Sequence, residues 1–227
     1  MQYKIYGTTF PSLDLILDAG ESVFTETGGM AWMTGDIDMM TSTQGSLLKG
    51  LARRMAGESL FLTDYTCRQD QALITFTPSA PGHIVTVELG EGESRICQKD
   101  AFLVAQSGVD FSIHYRTKLG AGLFGGEGFI LQKLTGPGLA WVEIAGEVRA
   151  YTLKEGQTMK INPGHIAMYD PSIKYDITRV RGVRNMLFGD EGVFLATLTG
   201  PGRVWLQSMT LSSLAGKLRP HLSLNQS

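Results

Sequence analysis

The chain has 227 residues, of which 43% are apolar and 19% charged, with a formal net charge of −2. That balance excludes a disordered chain, which would need less apolar content and more net charge. It also excludes a surface built throughout to hold nucleic acid, which needs a basic excess.

Met1 to Gly7 lacks the basic cap and apolar run of a secretory signal. Tyr3 to Tyr6 alternates as a strand does. Leu17, Gly20, Glu21 and Ser22 form a turn leading into the alternating Ile37, Met39 and Thr41. From Ser46 to Ala56 the period changes. Leu47, Leu48, Leu51 and Met55 recur at helical spacing while Lys49, Arg53 and Arg54 lie off that face, which predicts a short amphipathic helix. Gly57-Glu58-Ser59 then opens an apolar strand, Leu60 to Leu62, and Leu73 to Phe76 reads as another strand. Pro81-Gly82 is a turn, because Pro presets φ and Gly accepts a positive one. Val85 to Leu89 alternates after it. Gly120 to Gly126 is glycine-rich, but a phosphate loop needs Lys-Ser or Lys-Thr and then a helix. Here Glu127 and an apolar strand follow, so a turn between strands is the better account. Thr158 to Ile161 alternates and stops at Asn162-Pro163-Gly164. Leu211, Leu214 and Leu218 recur at helical spacing and predict a second short helix, 211–218. No segment approaches the ~18 apolar residues of a membrane-spanning helix.

The strands repeat. A shift of 64 places Val109, Phe111 and Ile113 on Ile173, Tyr175 and Ile177, and Leu89 and Gly92 on Leu153 and Gly156. A shift of 72 places Leu17, Gly20, Glu21 and Ser22 on Leu89, Gly92, Glu93 and Ser94. Strands facing one core require this retained alternation. Two landmarks recur in each copy: a glutamate opening a strand (Glu58, Glu127, Glu191) and a Pro-Gly turn (Pro81-Gly82, Pro137-Gly138, Pro201-Gly202). The Pro lies 23 residues after the glutamate in the first copy but 10 after it in the others. The first copy is therefore expected to carry about 13 extra residues around Thr63 to Pro78, room for additional strand. The expected organisation is one β domain over 1–227, with repeats at about 12–87, 88–150 and 151–210.

The opening Met1 to Gly7, the stretch Leu48 to Phe61, the centre Gly125 to Phe129 and the end Gly202 to Ser208 together resemble the altered-inheritance-of-mitochondria (mitochondrial biogenesis) family. The resemblance runs from Met1 to about Leu218. It implies an all-β fold like that of the tryptophan RNA-binding attenuation protein, a double-stranded β-helix or barrel-like winding, here with three β repeats in pseudo-threefold arrangement. It implies no reaction and no catalytic residues.

Candidate chemistry is sparse. His83, His114, His165 and His221 contain no His-x-His pair of the kind a β-helix metalloenzyme uses. No metal or other cofactor is expected. Glu58, Glu127 and Glu191 are the repeated polar set: three carboxylates near one axis could hold a cation, whereas a turn carboxylate accepting backbone N–H bonds needs no ligand. Lys49, Leu51, Arg53 and Arg54 form a candidate surface for an anionic membrane or a protein partner, with docking on the chain's own barrel as the bland outcome. Arg179, Arg181 and Arg184 are a second basic cluster, but a net charge of −2 gives nucleic acid no general pull. Cys67 and Cys97 are too few for a disulfide framework and lack zinc-site spacing. They read as small apolar residues in a reducing, cytoplasmic setting. The expectation is a non-enzymatic homo-oligomer, a trimer by the resemblance, serving as an interaction or scaffold protein. The alternative is a small-molecule- or metal-binding protein or enzyme that uses the β interior and the glutamate set, and a weaker one is RNA or anionic-membrane binding through Arg53, Arg54 and Arg181.

Overall fold

The computed structural model describes residues 1–26, 28–42, 62–117, 128–180, 193–218 and 221. A leading strand β1 (Gln2–Tyr6) precedes three units of six strands each. The first unit holds β2 (Ser12–Leu17), β3 (Ser22–Glu26), β4 (Met30–Met33), β5 (Ile37–Ser42), β6 (Leu62–Cys67) and β7 (Ala72–Phe76). The second holds β8 (Gly82–Leu89), β9 (Ser94–Gln98), β10 (Phe102–Gln106), β11 (Asp110–Thr117), β12 (Phe129–Thr135) and β13 (Gly138–Ala145). The third holds β14 (Val148–Leu153), β15 (Thr158–Ile161), β16 (Ile166–Tyr169), β17 (Lys174–Val180), β18 (Val193–Thr199) and β19 (Gly202–Gln207), before helix α1 (Leu211–Leu218).

All described ladders are antiparallel, and they form four sheets in the orders β1-β2-β7-β4, β5-β6-β3-β10-β13-β8, β11-β12-β9-β16-β19-β14 and β15-β18-β17. Each unit thus contributes two triplets to two different sheets. The second and third sheets are each shared by consecutive units, through β3 with β10 and β9 with β16. The all-β expectation holds. The described strands build a row of open sheets rather than a closed barrel, because the first and last sheets keep free edges.

Alternation fixes which side chains meet. Along β2, Leu13, Leu15 and Leu17 are fully buried and pack with Ile74, Phe76 and Trp141 between the first and second sheets. Phe102, Phe111, Leu134 and Val142 fill the layer between the second and third. Phe129, Leu131, Tyr169 and Leu198 fill that between the third and fourth. Removing such surfaces from water is the main stabilising term.

The repeat extends to single hydrogen bonds. Ser22 Oγ lies 2.8 Å from Thr66 Oγ1, and Ser94 Oγ lies 3.0 Å from Thr135 Oγ1. Glu21, Glu93 and Gln157 each accept a backbone N–H three residues upstream, from Asp18, Gly90 and Lys154. The glycine between them has a positive φ each time (83°, 72° and 73°), a conformation that costs glycine nothing.

Two sequence expectations need correction. Pro81-Gly82 does not close the first unit; it opens β8, the first strand of the second. The counterpart of Pro137-Gly138 and Pro201-Gly202 is the β6–β7 connection, which lacks Pro and Gly. Gln69 supplies its turn chemistry: its side chain accepts from Asp36 N–H at 3.1 Å and donates to Gln71 O at 3.0 Å. Thr66 to Ala72 spans six positions where Thr135 to Gly138 spans three, so the first unit is longer here by three residues, not 13. Units two and three accordingly open at Gly82 and Val148, ahead of the expected 88 and 151.

Helix α1 forms where the leucine spacing predicts. The Ser213 N–H donates to Thr210 Oγ1 at 3.0 Å, an N-cap bond. Of its stripe, Leu211 and Leu218 are exposed and Leu214 is half-buried. The expected helix over 46–56 and the glycine-rich 120–126 lie outside the described residues.

Candidate interaction surface

The polar set expected from the repeat, Glu58, Glu127 and Glu191, lies outside the described residues, as do Lys49, Leu51, Arg53, Arg54, Arg181, Arg184 and the side chain of Arg179. The turn role expected of those glutamates is carried in the described residues by Glu21 and Glu93. The Leu-x-x-Gly-Glu-Ser repeat was the signal that could have assigned it.

The histidines make local contacts. His83 Nε2 is 3.1 Å from Glu147 Oε2, and His165 Nδ1 is 2.8 Å from Gln207 O. Burial and nearby Lys133 hold His114 below its ordinary range. Among the described residues, no group of three or more His, Cys, Asp or Glu is placed to hold a metal ion. Cys67 and Cys97 are free and buried. Burial, aided by the charge of Glu26, pushes the Cys97 thiol up to about 12, so it stays protonated and unreactive.

Sequence reading missed one ionisable group. Glu143 on β13 shares a face with Trp141, and Ser79 caps it with a backbone N–H at 2.5 Å and a hydroxyl at 3.1 Å. Burial pushes its carboxyl up to about 7 against the pull of those bonds, with Asp100 adding repulsion. Nothing in Trp-Val-Glu-Ile distinguishes it from a solvated glutamate until Ser79 is seen to fold over it.

Among the described residues, exposed aromatic groups concentrate on the first sheet and its adjoining loop, while Met39 and Met40 are exposed on β5 of the second. Because Leu13, Leu15 and Leu17 point inward, Ser12, Asp14 and Ile16 point outward, and ladder partners share a face. That outer face therefore carries Lys4, Tyr6, Thr75 and Trp32, through the pairs Lys4 with Asp14, Tyr6 with Ser12, Asp14 with Thr75, and Thr75 with Trp32. Thr75 Oγ1 donates to Asp14 Oδ1 at 2.7 Å, and Lys4 Nζ sits 4.5 Å from the Tyr6 ring centroid. Trp32 is 52% exposed and Tyr6 47%, and Phe10 in the adjoining loop reaches 78%. The counterparts of Trp32 in the other units, Val104 and Met168, are 0% and 2% exposed. The same strand position is core twice and surface once.

Three tandem antiparallel units that share sheets edge to edge, with aromatic groups exposed at one end, define a class of all-β repeat protein. Residues 3–209 match the model of the family described as mitochondrial biogenesis AIM24, and the chain belongs to that family. It is 32% identical over 221 residues to an uncharacterized protein of Streptococcus pyogenes serotype M6, covering 94% of this chain and 87% of that one. It is 24% identical over 176 residues to altered inheritance of mitochondria protein 24, mitochondrial, of Emericella nidulans, covering 76% of this chain and 42% of that longer protein. A crystal structure of a Streptococcus pyogenes protein superposes with a TM-score of 0.78 at 28% identity, covering 97% of this chain and 99% of that one.

Proposed function

We propose that this chain is a non-enzymatic interaction or scaffold protein that acts as a homo-oligomer in the cytoplasm. One observation carries the reading: Trp32 stands in solvent at a position that both other units bury. Large aromatic side chains left in water on one sheet face are costly and characteristically mark a contact surface. The free, buried thiols suit a reducing compartment. Light scattering of the full chain over a concentration series tests this. The expected mass is a multiple of the 24.7 kDa chain that falls toward one chain in Trp32→Glu; a single-chain mass at every concentration contradicts it. The trimer implied by the family's fold resemblance is one stoichiometry the same measurement reads.

A second reading, a small-molecule site in the β interior, has its own observation. Tyr115, Tyr169 and Tyr175 cluster between the third and fourth sheets, with ring centroids 5.2 and 6.3 Å apart about Tyr175. The hydroxyls of Tyr169 and Tyr175 and the Gln98 Oε1 are buried without a hydrogen-bond partner among the described residues. Such groups are costly unless something pairs with them. Native mass spectrometry of purified protein would show a bound organic molecule on this reading and bare protein on the first.

A further inference from the structure

Two internal junctions show how one unit adds to the next. In the first, Ala105 faces Phe24 and Gln106 faces Val23, and the Ser107 N–H donates to Ser22 O at 3.1 Å. In the second, Met168 faces Cys97 and Tyr169 faces Ile96, and beyond the strand end Arg95 Nε lies 3.3 Å from Asp170 Oδ1. Each joins the third strand of one unit to the second strand of the unit before it.

Three units provide three such strands of each kind, and two pairs are used. Left over are β4, the third strand of the first unit, and β15, the second strand of the last. Their equivalence is fixed by the ladders. β4, β10 and β16 meet the central strand of their triplets with the same register shift, between Met30 and Trp32, Phe102 and Val104, and Ile166 and Met168. β15 meets β18 as β9 meets β12, Thr158 opposite Thr199 corresponding to Ser94 opposite Thr135. Among the described residues no ladder joins β4 to β15, and each is the edge of its sheet.

Burial agrees. β10 and β16 are buried along almost their whole length, whereas Ala31 and Trp32 of β4 are exposed. Phe24 and Ile96 are buried, whereas their counterpart Lys160 is exposed. Natural edges that must stay unpaired are blunted by charges or proline. β4 reads Met-Ala-Trp-Met, with neither, whereas β15 reads Thr-Met-Lys-Ile and carries one charge, Lys160. The backbone is also poised. The Thr34 N–H donates to Leu73 O at 2.8 Å, so alternation turns the Met33 N–H to the open side.

We infer, resting on the reading of the chain as a self-associating module, that β4 of one chain pairs antiparallel with β15 of a second copy, in the register of the internal junctions. The occupant is a second copy because each chain carries one strand of each kind, both without a ladder partner on that side among the described residues, and the two kinds have already met twice as β3 with β10 and β9 with β16. Transferring the register places Trp32 opposite Ile161, Met33 opposite Lys160 and Thr34 opposite Met159, with the Gly35 N–H reaching Thr158 O. An aromatic opposite a β-branched residue is a stabilising cross-strand pair. The contact is head-to-tail, so it closes into a ring where the rotation permits.

Thr34 and Met159 then correspond to Gln106 and Val23, a non-hydrogen-bonded pair whose Cβ atoms lie about 4.5–5.5 Å apart, near disulfide range. The full chain carrying Thr34→Cys and Met159→Cys, oxidised and run on a non-reducing gel, is expected to form covalent multimers. Mixing the two single variants is expected to give a covalent dimer that neither gives alone; Cys67 and Cys97 are buried. Importing the Arg95–Asp170 pair as Thr34→Asp with Met159→Arg is expected to hold the assembly together at several-fold greater dilution, without relying on disulfide geometry. A cross-link confined to one chain, or an oligomer by light scattering with neither cross-link nor charge-pair effect, overturns the junction while leaving self-association standing. A single-chain mass at every concentration overturns both.

Discussion

Glu143 shows how far one side chain's chemistry depends on what folds over it. Its carboxyl stands at about 7 in the fold against an ordinary 4.5, raised first by burial. Below 4.5 both folded and unfolded states hold the proton, and the group contributes no pH dependence. Between 4.5 and 7 the unfolded chain releases it first, so stability falls as pH rises, and the loss is complete above 7. The size is of order 1–3 kcal/mol. Glu143→Gln keeps an acceptor for Ser79 and removes the charge, so urea melts from pH 4 to 8 are expected to lose that decline and to show a variant more stable than the parent at pH 8. Equal slopes in the two proteins would show that the Glu143 carboxyl titrates as an ordinary glutamate. The pattern of alternation gave Val142 and Ile144 their place in the core without difficulty. The state of Glu143 was illegible because it depends on burial in the folded chain, opposed by the bonds from Ser79, 64 residues away, and on no local spacing.

At the scale of strands and turns, period and punctuation carried most of the fold. Alternation at Leu17, Leu89 and Leu153 and the glycine turn after each place the same strand in every unit, because a turn duplicated with its own hydrogen bonds needs nothing distant to form. The Pro-Gly landmark misled for an equally physical reason. Any hairpin of similar geometry accepts it, so Pro81-Gly82 between units looks like Pro137-Gly138 within one. Hydrogen bonds identify the true counterparts: Cys67, Gly136 and Gly200 donate to the carbonyls of Glu21, Glu93 and Gln157 at 3.0, 2.9 and 2.9 Å. A Cβ on Gly136 would collide with the Gly90 and Leu89 carbonyls, and one on Gly200 with those of Lys154 and Leu153. The longer connection after Cys67 is where the first unit carries a side chain instead. Gly136→Ala and Gly200→Ala are therefore each expected to cost about 1–3 kcal/mol of crowding, as read from urea midpoints. Unchanged midpoints in both would show that the two sites have room for a Cβ. The same comparison applies to Ser22→Ala and Ser94→Ala, expected to cost about 1 kcal/mol each through one repeated hydroxyl bond.

At the scale of the molecule, the units are not beads on a string. β3 carries β10 and β9 carries β16, and the layer between the second and third sheets draws residues from all three units, Phe24, Phe102 and Met168 among them. Unfolding is expected to be one cooperative step, with tryptophan fluorescence and far-ultraviolet circular dichroism coinciding in urea; separated transitions would mean the units stand alone. The repeats were legible from sequence, but the openness of the outer sheets was not, because Met-Ala-Trp-Met reads as an apolar strand whether or not a neighbour covers it. What distinguishes β4 is its exposed Trp32 beside the buried Val104 and Met168. The most direct measurement is therefore hydrogen exchange at the Met33 amide, which faces the open edge and is the donor a paired neighbour would claim. In concentrated protein it is expected to be protected like its counterpart Ala105, and to lose that protection on dilution or in Trp32→Glu. Free exchange at Met33 at every concentration, with Ala105 still protected, would contradict the account.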